Sequence, residues 1–157
     1  MLRQLETALL VLIAATATGG AAHARAVGGS CAPKDARSDR LIAHFQAFVG
    51  EKGMGGTILK KELGLADVTP SQVALVTDNA ICSKAAAAYD KHLDTYTKKI
   101  GQQSVQKRST YSLYVVTLGS SYAVEDTKSL QPGFETADVY DKDWKYIGGR
   151  QVHSNNQ

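Results

Sequence analysis

Residues 79–97 (NAICSKAAAAYDKHLDTYT) constrain the fold more than any other stretch of this chain. Thr77 or Asp78 can cap a helix there, and Cys82, Ala85, Ala86, Tyr89 and Leu93 recur at the spacing of one helical face, with Tyr96 near its end. The Ala85–Ala88 run favours helix strongly and leaves little bulk, so this face is shaped to lie close against a sheet. The residues that follow supply one. Ser112–Leu118 (SLYVVTL), a Gly119-Ser120 turn and Ser121–Asp126 (SYAVED) read as a hairpin. Phe134–Tyr140, a turn at Asp141-Lys142-Asp143 and Trp144–Gly148 read as a second, with Pro132-Gly133 between them. The expected class is α+β: a long helix packed on a twisted antiparallel sheet.

Two shorter segments precede the long helix. Leu41, Ile42, Phe45, Phe48 and Val49 mark a helix starting at a Ser38 cap and stopped by Gly50. Gly53-Met54-Gly55-Gly56 reads as a loop, Thr57–Leu63 as a short helix, and Gln72–Thr77 as a β-branched strand after Pro70. One or two N-terminal helices are therefore expected. At 157 residues the chain has room for one domain plus a processed leader.

The leader is the most specific signal. Arg3 gives a positive start, residues 7–18 (TALLVLIAATAT) are uncharged and mostly apolar, and Ala22-His23-Ala24 has the small-x-small pattern of a cleavage site. The apolar run falls short of the roughly 20 residues that span a bilayer, so no membrane span is expected in the mature chain. Ala24-Arg25-Ala26 offers a second cleavage site, which leaves Arg25 or Val27 as the mature start. Cys31 lies too far beyond the apolar run, behind Gly28-Gly29-Ser30, to be a lipid-modified first residue. The resulting division is a secretory signal at 1–24, a flexible lead-in at 25–37, a single α+β domain at 38–150 and a disordered tail at 151–157. The expected location is periplasmic or secreted.

Export changes how the cysteines read. Cys31 and Cys82 are the only two in the chain, and thiols outside the cytosol tend to be oxidised. A bridge between them is expected. The competing reading, a nucleophile built from Cys82 with His92 or His44, has no support in the spacing.

Several segments resemble a loose group of short exported bacterial proteins of unknown function. These are Leu63-Gly64-Leu65, Gln72–Asp78 with Ile81-Cys82, Tyr114-Val115-Val116 and Tyr140–Trp144. The element order is also similar to cystatin-like and PepSY-type modules, which implies binding or inhibition. Neither resemblance brings catalytic residues.

Chemistry-bearing patterns are sparse. Gly50-Glu51-Lys52-Gly53-Met54-Gly55-Gly56-Thr57 has P-loop spacing, but Gly56 stands where the phosphate-binding lysine belongs. His44, His92 and His153 share no metal-ligand spacing, and Asp141-Lys142-Asp143 reads as a turn rather than a calcium loop. Glu125, Asp126, Glu135 and Asp138 are candidates for a carboxylate pair on the strands, with outward solubilising charge the plainer reading. Gly119-Ser120-Ser121 is no nucleophile elbow. A net charge of +3 does not announce a nucleic-acid binder, and no cofactor or metal is implied.

The aromatics stand out. All seven tyrosines lie at or after Tyr89. Tyr offers apolar area with a polar tip, so Tyr114, Tyr122, Tyr140, Trp144 and Tyr146 form a candidate binding face. Core and cross-strand packing is the competing account. The functional expectation is an exported, non-enzymatic module that binds a protein, peptide or envelope component through this sheet face. A first alternative is a ligand-binding or hydrolytic pocket between the long helix and the sheet, using Tyr89, His92 or Asp138. A second is weak binding of an anionic envelope polymer through Lys98, Lys99, Lys107 and Arg108.

Overall fold

The computed structural model describes residues 27–101, 109–128 and 135–152. Expectations for the leader, Arg25, Lys107, Arg108, Pro132, Gly133, Phe134 and the tail from His153 onward lie outside the described residues.

The chain is α+β, with three helices and a six-stranded mixed sheet among the described residues. Residues 28–31, part of the lead-in expected to be flexible unless tethered, form strand β1 (Gly28–Cys31). Helix α1 (Ala36–Gly50) starts earlier than the Ser38 cap expected from sequence. Asp35 is the cap: its carboxylate accepts from the Ser38 amide at 2.9 Å, and the Ser38 hydroxyl accepts from the Asp35 amide at 2.9 Å. Ser38 thus answers the cap from inside the helix, so each of two otherwise unpaired amides gains an acceptor. Helix α2 (Met54–Glu62) also begins inside the expected loop. Lys60 of α2 donates to the carbonyls of Val49 and Glu51, satisfying the C-terminal end of α1.

A short 3-10 turn (Pro70–Gln72) leads into β2 (Val73–Leu75). Asp78 then caps the long α3 (Asn79–Lys99), accepting from the Ala80 amide at 2.9 Å. The strands β3 (Thr110–Leu118), β4 (Ser121–Asp126), β5 (Thr136–Tyr140) and β6 (Tyr146–Gln151) form the expected antiparallel meander. The outer edge of β3 is shared. β2 pairs antiparallel with Val116–Leu118, and β1 pairs with Thr110–Leu113 in parallel, which makes the sheet mixed rather than wholly antiparallel.

Both faces of the sheet are covered. The segment Leu113–Val116 is buried without a break, as expected of a strand with helices on either side. Its alternation divides the core. Tyr114, Val116 and Leu118 join Leu41, Phe45, Phe48 and Val49 of α1. Tyr111, Leu113 and Val115 join Cys82, Ala85, Ala86 and Tyr89 of α3. The Ala-rich stripe therefore packs on the sheet as its small side chains require.

β1 runs closely beside α3. A Cβ on Gly29 would collide with Ala86 and approach the Cys82 carbonyl to 2.9 Å. Ser83 donates to the Gly29 carbonyl at 2.9 Å. This approach brings Cys31 to Cys82, and the two form a disulfide with Cα atoms 5.3 Å apart. Among the described residues, no helix is long and apolar enough to cross a membrane.

Candidate functional site

The site grows from the β5–β6 hairpin. Asp141 closes its turn: Oδ1 accepts from the amides of Asp143 (2.8 Å) and Lys145 (2.9 Å), and its own amide donates to the Lys145 carbonyl at 3.0 Å. Trp144, expected to begin a strand, instead sits inside this turn with φ 61°. That left-handed conformation crowds a Cβ and costs about 1–2 kcal/mol. The indole it aims stacks on Tyr122 of β4, with centroids 4.3 Å apart and planes at 11°.

The register does the rest. Tyr122 pairs with Tyr140, and Tyr140 with Tyr146 across a bulge at Val139/Tyr140. Tyr140 lies 6.1 Å from the Trp144 ring and 5.8 Å from Tyr146. Tyr146 in turn stacks on His92 of α3 at 3.7 Å and 19°. Four of the five residues of the expected binding face thus stand together. Three of them, Tyr140, Trp144 and Tyr146, line a cavity of about 350 Å3 between α3 and the hairpin together with Lys91, His92 and Lys145 among others, and Tyr122 reaches it only through its stack on Trp144. Tyr140 is buried, Tyr122 and Trp144 are half-buried, and Tyr146 is exposed.

Tyr114 is elsewhere. Strand alternation turns it to the α1 side, where it is buried and its hydroxyl donates to the Asp35 carboxylate. That bond, with the Ser38 amide, holds Asp35 below its ordinary pKa. Burial and the same carboxylate push Tyr114 up to about 12. This tyrosine therefore serves the start of α1.

Burial dominates the electrostatics beside the cavity. It lowers the pKa of His92, which leaves the imidazole neutral near pH 7, and raises those of Tyr140 and Tyr146. The Tyr140 hydroxyl is buried with no hydrogen-bond partner among the described residues. Asp138, on β5, is raised to about 7 by burial. Its Oδ1 and the Tyr146 hydroxyl both lie against Gly149, 3.5 and 3.4 Å from where a Cβ there would stand. At the mouth, Lys91 and Lys145 are exposed, and neither has an ion pair among the described residues. Asp143 lies 3.6 Å from Lys142.

The remaining carboxylates do not converge on this cavity. Glu125 is fully buried on the α1 side and takes Arg37 at 2.7 Å, while Glu135 lies 3.7 Å from the same guanidinium. Arg37 also donates to the Thr127 carbonyl at 2.9 Å. Burial raises the pKa of Glu125 against the pull of Arg37. Asp126 accepts from the Lys128 amide at 2.9 Å. A cation between Glu125 and Glu135 is the opposite of two carboxylates facing an open cleft.

His44 accepts from Arg150 Nε at 3.0 Å, away from His92. Among the described residues, no group of three or more His, Cys, Asp or Glu is placed to hold a metal ion. The Gly50–Thr57 stretch joins two helices, whereas a phosphate-cradling loop follows a strand. Lys98 pairs with Asp94 at 2.9 Å.

Comparison with family models, curated proteins and solved structures gave no match for the chain. Sequence reading named His92, Asp138 and the aromatics but missed Lys91, Thr95 and Lys145. One signal was available: Ala88, Lys91, His92 and Thr95 share one helical face, and Lys145 sits between two ring residues.

Proposed function

We propose that this chain is an exported binding module that holds a ring-bearing ligand in the cavity between α3 and the β5–β6 hairpin. The reading joins the residues expected of a Tyr-rich face to the location expected of a pocket. The single observation that carries it is Trp144. A bulky residue persists in a left-handed conformation only where its surroundings over-determine it, and such strain concentrates at ligand sites. Here the Asp141 turn and the Tyr122 stack hold the indole at the cavity wall.

Binding is favoured over catalysis because His92, the imidazole at the cavity, stacks on Tyr146 instead of meeting a nucleophile. Export is supported by the signal-like sequence pattern of residues 1–24 and by the Cys31–Cys82 bridge.

Trp144 is the only tryptophan, so its emission reports on this cavity alone. The test is a titration with benzamide and with methyl glucoside, followed by Trp144 fluorescence and amide chemical shifts. A saturable response centred on residues 88–95 and 140–146 is expected from at least one ring. No saturable change with either, up to about 10 mM, would sink the reading, since even weak fragment sites respond in that range.

A further inference from the structure

Resting on that pocket reading, we infer that the ligand is an organic anion: a six-membered ring carrying a carboxylate, with its charge at the mouth between Lys91 and Lys145. The two lysines come from different elements, α3 and the start of the β5–β6 return, and both line the same cavity. Each lacks an ion pair among the described residues. A carboxylate at this cavity gives the two unpaired ammonium groups an acceptor for charge-assisted hydrogen bonds.

The rest of the lining does not compete for the role. Asp143, the carboxylate at the cavity, lies beside Lys142. Thr95 turns its hydroxyl back to the Lys91 carbonyl at 2.9 Å. Asp138 sits against Gly149 and is absent from the cavity wall, so its charge does not offset the lysines from within. The walls themselves are Tyr140, Trp144, Tyr146 and His92, which offer ring faces and edges to a ring. The chemistry is thus apolar ring inside, negative group at the rim. Aromatic acids and uronic acids both satisfy it.

The experiment uses the disulfide-bonded protein and matched pairs of probes: benzoate against benzamide, and glucuronate against glucose, with benzylammonium as the opposite charge. Trp144 emission and calorimetry give the affinities. At low salt a carboxylate is expected to bind about ten-fold more tightly than its neutral partner, the scale of one partly exposed charge-assisted contact. The pair that shows this preference names the source, aromatic or sugar. Raising salt should erode the preference, because the lysines are exposed. The double variant K91Q/K145Q should abolish it, and an acid still bound about ten-fold more tightly than its neutral partner by this variant would overturn the inference. Both substitutions are on exposed side chains, and an unchanged melting temperature verifies the fold.

Equal affinity for each acid and its neutral partner overturns the charge inference and leaves the pocket reading standing. Tighter binding of benzylammonium overturns it too, in favour of Asp143, the carboxylate on the cavity wall. Absence of any binding removes the pocket reading, and this inference with it.

Discussion

Breaking the Cys31–Cys82 bridge should remove a large part of the protein's stability, acting on the unfolded chain more than on the folded one. The bridge links residues 51 apart in sequence. In the chain-entropy model, closing a loop of that size in the denatured state is worth about 4 kcal/mol. Small domains have about 5–15 kcal/mol in total, so the bridge is a substantial share. For a domain of this length the loss corresponds to a fall in melting temperature of roughly 10–20 °C. The assay is urea denaturation of the oxidised protein, of the same protein in reductant, and of a C31A/C82A variant. Reduction should lower the midpoint and also raise the m-value, because the unbridged denatured chain exposes more surface. The variant should lose somewhat more than the reduced protein, since Cys82 is fully buried in the core on the α3 side and its sulfur would be removed from there. Hydrogen exchange adds a spatial check. Ala32 donates to the Leu113 carbonyl at 2.8 Å, and its protection should weaken before that of the β3–β4 amides. A loss below about 1 kcal/mol with an unchanged m-value would refute the loop-closure reasoning.

Three further perturbations test other parts of the structure. Asp138 has a folded pKa raised from 3.8 to about 7, so the folded state holds its proton longer than the unfolded state. Its contribution is fully present below about pH 3.8 and is lost as pH rises to about 7; D138N should therefore stabilise the protein at pH 8 by a few kcal/mol at most, and flatten the pH dependence between about 4 and 7. Equal stability of the two proteins at pH 8 would count against it. R37L should be severe, costing about 3–5 kcal/mol in denaturant titrations, because it strands the fully buried Glu125. Adding E125Q to it should recover part of that loss, and no recovery would show that Arg37 acts through Thr127 and Glu135 instead. G29A should cost about 1–3 kcal/mol by forcing β1 away from Ala86 and the Cys82 carbonyl, measured by thermal melting. Wild-type stability would mean that β1 has room to shift.

Much of the fold was legible because local rules govern it. Helical spacing marks α1 and α3, Gly119 and Asp141 mark turns, and β-branched runs mark strands. Element starts were less legible. Asp35, Met54 and Trp144 lie where sequence reading placed a lead-in, a loop and a strand, because a cap or turn is chosen by the bonds that the neighbouring backbone needs. β1 was missed for a similar reason. Gly28-Gly29-Ser30 has no strand preference of its own, and its pairing with β3 is permitted by a glycine small enough to pass α3.

The candidate site divides along the same line. The sequence by itself determined that rings and cysteines were present, that Tyr114 and Val116 share one strand face, and that α3 carries a face of small residues. Only the tertiary structure decided what covers each face. α1 occupies the side that takes Tyr114, while the end of α3 leaves a gap beside Tyr140, Trp144 and Tyr146. Period-two alternation fixes which residues point together and is silent on which side will be roofed. That Lys91 and Lys145 line one cavity is likewise a product of packing between distant segments, and spacing along the chain carries no record of it.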